Sequence, residues 1–210
     1  MTELSRLSLR YVAMALAGVA LFGYATGVLM APAAAAFGDR LGELTCLQVA
    51  FTAERVAAVL RPFSAEQVGA IAGLLRPGDM VFAWGYGLLL TGLLGLLTLR
   101  LPDDWQRAGR WLLWAPLVAS LFDCSEDYFL HQLVTAPAGA DPGGAPLLAG
   151  LSATAKYLLL SGVAPAYGIA GTIKGLTVDR RTGALLVYAL VVVNAVAFVA
   201  KPLQQVPPCF

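Results

Sequence analysis

The run Leu121-Phe122-Asp123-Cys124-Ser125-Glu126-Asp127-Tyr128-Phe129-Leu130-His131 puts four ionisable side chains within nine positions of an otherwise apolar stretch. On a helix, with Asp123 at zero, Glu126 falls at about −60°, Asp127 at about +40° and His131 at about +80°. They share one face about 140° wide, which must look away from lipid, because an ionisable group inside a membrane is costly unless partnered and commonly marks a functional site. Elsewhere in apolar surroundings stand Asp79, Trp84, Tyr86, Lys156 and Asn194.

Such a set suits a few chemistries. Asp, Glu and His at helical spacing can hold a carboxylate-rich ion. The single histidine excludes histidine-box oxygenases, and the chain has no HExxH zinc-protease motif. The DxxED spacing of Asp123, Glu126 and Asp127 is similar to acidic motifs that hold magnesium diphosphate in prenyl-transferring enzymes. Its natural second half, Asp103-Asp104, falls on the opposite side of the topology derived below. The reading therefore takes no metal and no cofactor. A second chemistry is acid–base work on a greasy substrate. A carboxyl shielded from water resists ionisation and can donate a proton, a neighbouring carboxylate or Tyr86 can accept one, and aromatic faces stabilise cations; Trp84, Tyr86, Phe122, Tyr128 and Phe129 are available for that wall. A third is proton-coupled transport, since embedded carboxylates, a lysine and the proline-broken helices at Pro116 and Pro165 also suit a proton relay. Against it, no internal repeat is visible. A fourth is a structural or accessory protein in which the charges pair as glue.

The elements that position these residues follow from composition. Of 210 residues 59% are hydrophobic and 13% charged, with 14 Lys and Arg against 13 Asp and Glu; mean hydropathy is +0.74. Soluble domains carry about 25% charged residues, so a soluble domain, a disordered chain and a nucleic-acid binder are excluded. A crossing helix needs about 20 apolar residues. The expectation is an all-α polytopic membrane bundle of five transmembrane helices in a single membrane domain, with spans at 11–30, 80–99, 111–134, 152–173 and 183–200. The amino-terminal apolar stretch exceeds the 7–15 residues of a signal core and is read as a retained helix.

Arg6, Arg10, Arg100, Arg107, Arg110, Lys174, Arg180 and Arg181 all fall on one side, whereas the 135–151 loop has no Lys or Arg and the tail has only Lys201. By the positive-inside rule the amino terminus is cytoplasmic and the carboxyl terminus outside, in a bacterial inner membrane. The outer loop 31–78 holds two short amphipathic helices, 52–60 and 64–75, the second opened by a Ser64/Gln67 capping box; they form a lid or a gate. Cys46 and Cys209 share the oxidising side, which permits a disulfide; three free thiols are the alternative.

This topology places Asp79, Tyr86, Asp123, Glu126, Asp127, His131, Lys156 and Asn194 at similar depths in the outer half. Plainer roles stay open for three of them. Lys156 can snorkel to the surface, Asp79 can serve only as an N-cap, and Asp127 with His131 can form a structural pair.

The order LQVAFTAERVAAVL, DMVFAWGYGLLL, FDCSE and TAKY, over roughly residues 47–160, resembles a group of small bacterial multipass membrane proteins of unassigned function. The resemblance implies joint importance of Asp79, Tyr86, Asp123, Glu126 and Lys156; Asp127 stands where that group commonly has Asn. By size and acidic pocket alone the chain is similar to membrane-bound terpene cyclases and sterol isomerases. The resulting expectation is an outward-facing acidic pocket for an isoprenoid-like lipid or hydrophobic small molecule. Asp123 or Glu126 is the acid, Asp79 and Lys156 tune its charge, and Tyr86, Trp84, Asp127, His131 and Asn194 contact substrate.

Overall fold

The structure is a computed structural model and describes residues 3–37, 40, 43–137 and 140–205; among these, every regular element is helical. In order they are α1 (Glu3–Tyr24), α2 (Ala31–Phe37), α3 (Thr45–Gln48), α4 (Ala53–Leu60), α5 (Ala65–Gly73), α6 (Met80–Thr98), α7 (Asp103–Leu112), α8 (Ala115–Thr135), α9 (Ala145–Tyr157), α10 (Ala164–Val178) and α11 (Thr182–Gln205). Three helical stretches, Arg6–Phe37, Ala65–Thr98 (kinked at Arg76) and Ala145–Val178, are long and apolar enough to cross a membrane. Their outward faces show Leu16, Val19, Leu158 and Ile173 more than half exposed, an apolar exterior of the kind a membrane or a partner covers.

The helix ends have local causes. Thr52 accepts from the amide of Arg55 to open α4, and Ser64 and Gln67 form the reciprocal capping box of α5. Arg76, which precedes Pro77, leaves the helical region (φ −139°, ψ 116°), as the proline ring demands of its predecessor. This break separates α5 from α6. The third span, expected from residue 111, instead begins at Ala115: Trp111 and Leu112 close α7, and α8 starts with Pro116 in its first turn, where a missing amide costs nothing. The fourth, expected at 152–173, starts earlier at Ala145 and ends later at Val178. It passes through a wide π turn (Leu158–Val163) just before Pro165, whose missing N–H interrupts the regular ladder.

Glycines bring α1 and α6 into backbone contact. A Cβ added at Gly18 would lie 2.3 Å from the Leu89 nitrogen, and one at Gly92 would lie 2.6 Å from the Tyr11 carbonyl oxygen, the small-residue packing that lets membrane helices approach closely. On its other side α6 meets α8, where Ser120 Oγ donates to the Ala83 carbonyl (2.7 Å). Gly87 leaves room for that hydroxyl, since a Cβ there would stand 2.0 Å from it. Gly87→Ala is therefore expected to displace Ser120 and cost about 1–3 kcal/mol, read as a lowered melting temperature in detergent; an unchanged value would mean that this contact does not set the α6–α8 spacing.

The described residues of the 31–78 segment pack against one end of α8 and α9. Phe37, Leu47, Val56, Phe63, Ile71 and Leu74 pack together with Leu130 of α8 and Ala149 of α9. A separate apolar core at the other end joins Leu94, Leu97, Leu113, Tyr167, Tyr188 and Val191. Cys124 is a free thiol; Cys209, and with it the Cys46–Cys209 pairing, lies outside the described residues.

Candidate functional site

α6 and α8 run antiparallel, so successive turns toward the end of α8 meet successive turns toward the start of α6. Ser120 meets Ala83, Tyr86 Oη donates to Asp123 Oδ2 (2.7 Å), and Asp127 lies by Asp79. Tyr86 reaches Asp123 because side chains on a helix lean back toward its amino terminus. From α9, Lys156 enters between two acids and places its ammonium 2.6 Å from Asp123 Oδ1 and 2.6 Å from Glu126 Oε2. Ser152 Oγ donates to Ser125 Oγ one turn earlier (3.4 Å). The cap is tied to the same helix: Tyr157 Oη donates to Gln48 Oε1, and the Phe51 ring lies where a Cβ on Gly150 would be (2.4 Å).

Burial shields most of this cluster from bulk solvent. Glu126 and Asp127 are fully buried, and Asp123 and Lys156 nearly so, while Asp79 is partly exposed. Asp123 has both oxygens engaged. Glu126 Oε1 and both oxygens of Asp127 have no hydrogen-bond partner among the described residues. One carboxylate oxygen each from Asp79, Asp123 and Asp127 lies within 4.8 Å of the other two, so these three are the residues that can hold a cation.

None of the three plainer roles is seen. Lys156 does not snorkel, because its ammonium points inward to two acids. Asp79 occupies the N-cap position of α6 yet makes no capping hydrogen bond with its side chain. Nor does Asp127 pair with His131, since neither Asp127 oxygen has a hydrogen-bond partner among the described residues.

Six of the expected residues come together: Asp79, Tyr86, Asp123, Glu126, Asp127 and Lys156. Three do not. His131 is only partly buried; at 100° per residue Leu130 takes the inward position and turns His131 about 90° from the centre of the acids. Trp84 is 39% exposed, because two residues carry it about 160° round the helix from Tyr86. Asn194 donates back to the Leu190 carbonyl (2.8 Å) and lines a different feature, a small, partly open apolar recess formed with Leu90, Leu94, Leu160, Pro165 and Val191. The expected aromatic wall is likewise reduced, with Phe122 and Tyr128 exposed. The recess nevertheless adjoins the cluster: Leu90 and Leu160 each follow Tyr86 and Lys156 by four residues, about 6 Å along their helices.

Sequence reasoning missed Ser120, Gly87 and Ser152, which set how the helices meet. Ser120 carried a signal, standing three residues before Asp123 on the same face; Gly87 carried none among 22 glycines. Compared with models of known families, with curated proteins and with solved structures, the chain matches none.

Proposed function

We propose that the chain is a five-span protein of a bacterial inner membrane, with its amino terminus cytoplasmic, that rearranges an isoprenoid-like lipid by acid-initiated cyclisation or isomerisation. α8 joins the three long runs as a span: its 21 residues measure about 31 Å at 1.5 Å each, and its three acids face inward. The apolar helix Thr182–Ala197 supplies the fifth. The eight basic residues near one set of helix ends support the orientation.

The observation that carries the chemistry is the apolar recess one turn from a buried acid cluster. The recess is lined by apolar side chains that suit a hydrocarbon group, and the cluster offers a proton donor shielded from bulk solvent. Asp123, held on both oxygens, is the fixed anchor of Lys156; Glu126, with Oε1 unengaged, is the acid. Its proton forms a C–H bond at an alkene carbon, and a proton leaves the adjacent carbon to a carboxylate, so the product has the mass of the substrate. Tyr86 and Lys156 hold the geometry, and Asp79 adjusts the charge.

The test is turnover of an isoprenoid lipid extract by protein in liposomes, followed by chromatography. Glu126→Gln is expected to slow turnover about 10²–10⁴-fold, and Asp123→Asn to slow it through misplacement of Lys156, with both variants folded. General unfolding of both would favour the structural role. A second reading, a proton-coupled carrier, draws on the gradation from partly exposed Asp79 to buried Asp123 and Asp127. Proton flux into liposomes that depends on Glu126, with no lipid turnover, would favour it.

A further inference from the structure

We propose that Asp79, Asp123 and Asp127 form a binding site for one hard divalent cation of calcium size. The site uses geometry that the acid–base reading does not need, and it stands whether or not that reading does.

Two independent observations carry it. The first is distance. Oxygens bound to one calcium at 2.3–2.6 Å lie at most about 4.6–5.2 Å apart, and the three carboxylate oxygens are within 4.8 Å of one another. Even at that limit a point about 2.8 Å from all three exists, so a shift of a few tenths of an ångström brings them onto one calcium. Magnesium, at 2.0–2.1 Å, would draw them to within about 4.2 Å.

The second observation is the state of Asp127. It is fully buried, and neither oxygen has a hydrogen-bond partner among the described residues. A buried carboxylate in that condition is strongly disfavoured unless a charge answers it. Lys156 makes no hydrogen bond to it, since its ammonium is committed to Asp123 and Glu126.

The charge balance points the same way. With Glu126 protonated, buried Asp123 and Asp127 still outnumber the Lys156 ammonium by one negative charge, which a cation bound between them answers. The donor set is oxygen only, which selects calcium, magnesium or manganese over zinc or copper. Asp123 can serve although Lys156 and Tyr86 already hold it, because each carboxylate oxygen has a second lone pair. Partly exposed Asp79 marks the way in, at the first turn of α6. The rest of the coordination shell would be water or an oxygen of the lipid.

The test uses the full chain in detergent, first treated with chelator and then given calcium, magnesium or sodium at matched ionic strength. Equilibrium dialysis is expected to find one calcium per chain, with affinity lowered at least tenfold in Asp127→Asn and in Asp79→Asn. Melting supplies a second signature. Without metal, Asp127→Asn is expected to melt at or above the wild type, since it removes an unanswered buried charge; with calcium the order reverses, because only the wild type gains. No bound calcium, binding unchanged in Asp127→Asn, or an equal gain from sodium would overturn the proposal.

Discussion

Lys156→Met is expected to destabilise the protein by about 3–5 kcal/mol, the usual cost of removing one partner from a buried ion pair. Methionine keeps most of the apolar stem, so the change isolates the ammonium. That group lies 2.6 Å from Asp123 and 2.6 Å from Glu126 and bridges the two acids. Its loss leaves Asp123 with Tyr86 alone and Glu126 with no partner. A companion variant tests the cause: adding Asp123→Asn and Glu126→Gln to Lys156→Met removes the carboxylates that lost their counter-ion and is expected to restore most of the loss. Chemical denaturation in detergent measures both. A single variant within about 1 kcal/mol of wild type would mean that the lysine does not neutralise the cluster.

The other large effect lies far from any charge. Gly85→Leu is expected to cost about 3 kcal/mol or more, at the upper end of overpacking. A Cβ at Gly85 would lie 2.6 Å from the Phe22 nitrogen and 2.9 Å from its Cα. Backbone cannot swing aside as a side chain does, so α1 must leave α6 along its length, including the contacts at Gly18 and Gly92. Melting should fall sharply, and Tyr86, one residue on, should lose its setting. Gly69→Leu is the control, because nothing lies within 4 Å of a Cβ there. Equal melting of the two variants would show that close α1–α6 contact is not required.

Much of the site could be read from the chain because polarity is rare in it. Asp123, Glu126 and Asp127 stood out within an apolar helix, and the 3.6-residue repeat put them on one face. The distribution of arginine then assigned Asp79, Tyr86 and Lys156 to matching depths. What could not be read was rotation and contact. Depth does not say which way a side chain points, so Trp84 and Asn194 shared the right level while facing elsewhere, and His131 lay at the edge of a face whose centre was Leu130. Helix approach was hidden for a different reason: Gly85 and Gly92 meet backbone, whereas Gly69 meets nothing, and their neighbours in sequence do not distinguish them. The start of α8 was misplaced by a few residues because Trp111 and Leu112 are apolar enough to extend a span, yet they end α7.

The acid itself is best tested by counting deuterons. Wild-type protein and Glu126→Gln, reconstituted in liposomes with an isoprenoid lipid extract in deuterated water, would be compared by mass spectrometry of the recovered lipid. A carboxyl that gives its proton to an alkene and releases another to solvent exchange leaves one deuteron in each rearranged molecule. The expected result is one added deuteron per product with wild type and none with a Glu126→Gln protein that still melts as a folded chain. Lipid recovered without deuterium from folded wild type, or labelled equally by the variant, would contradict a proton-donating site.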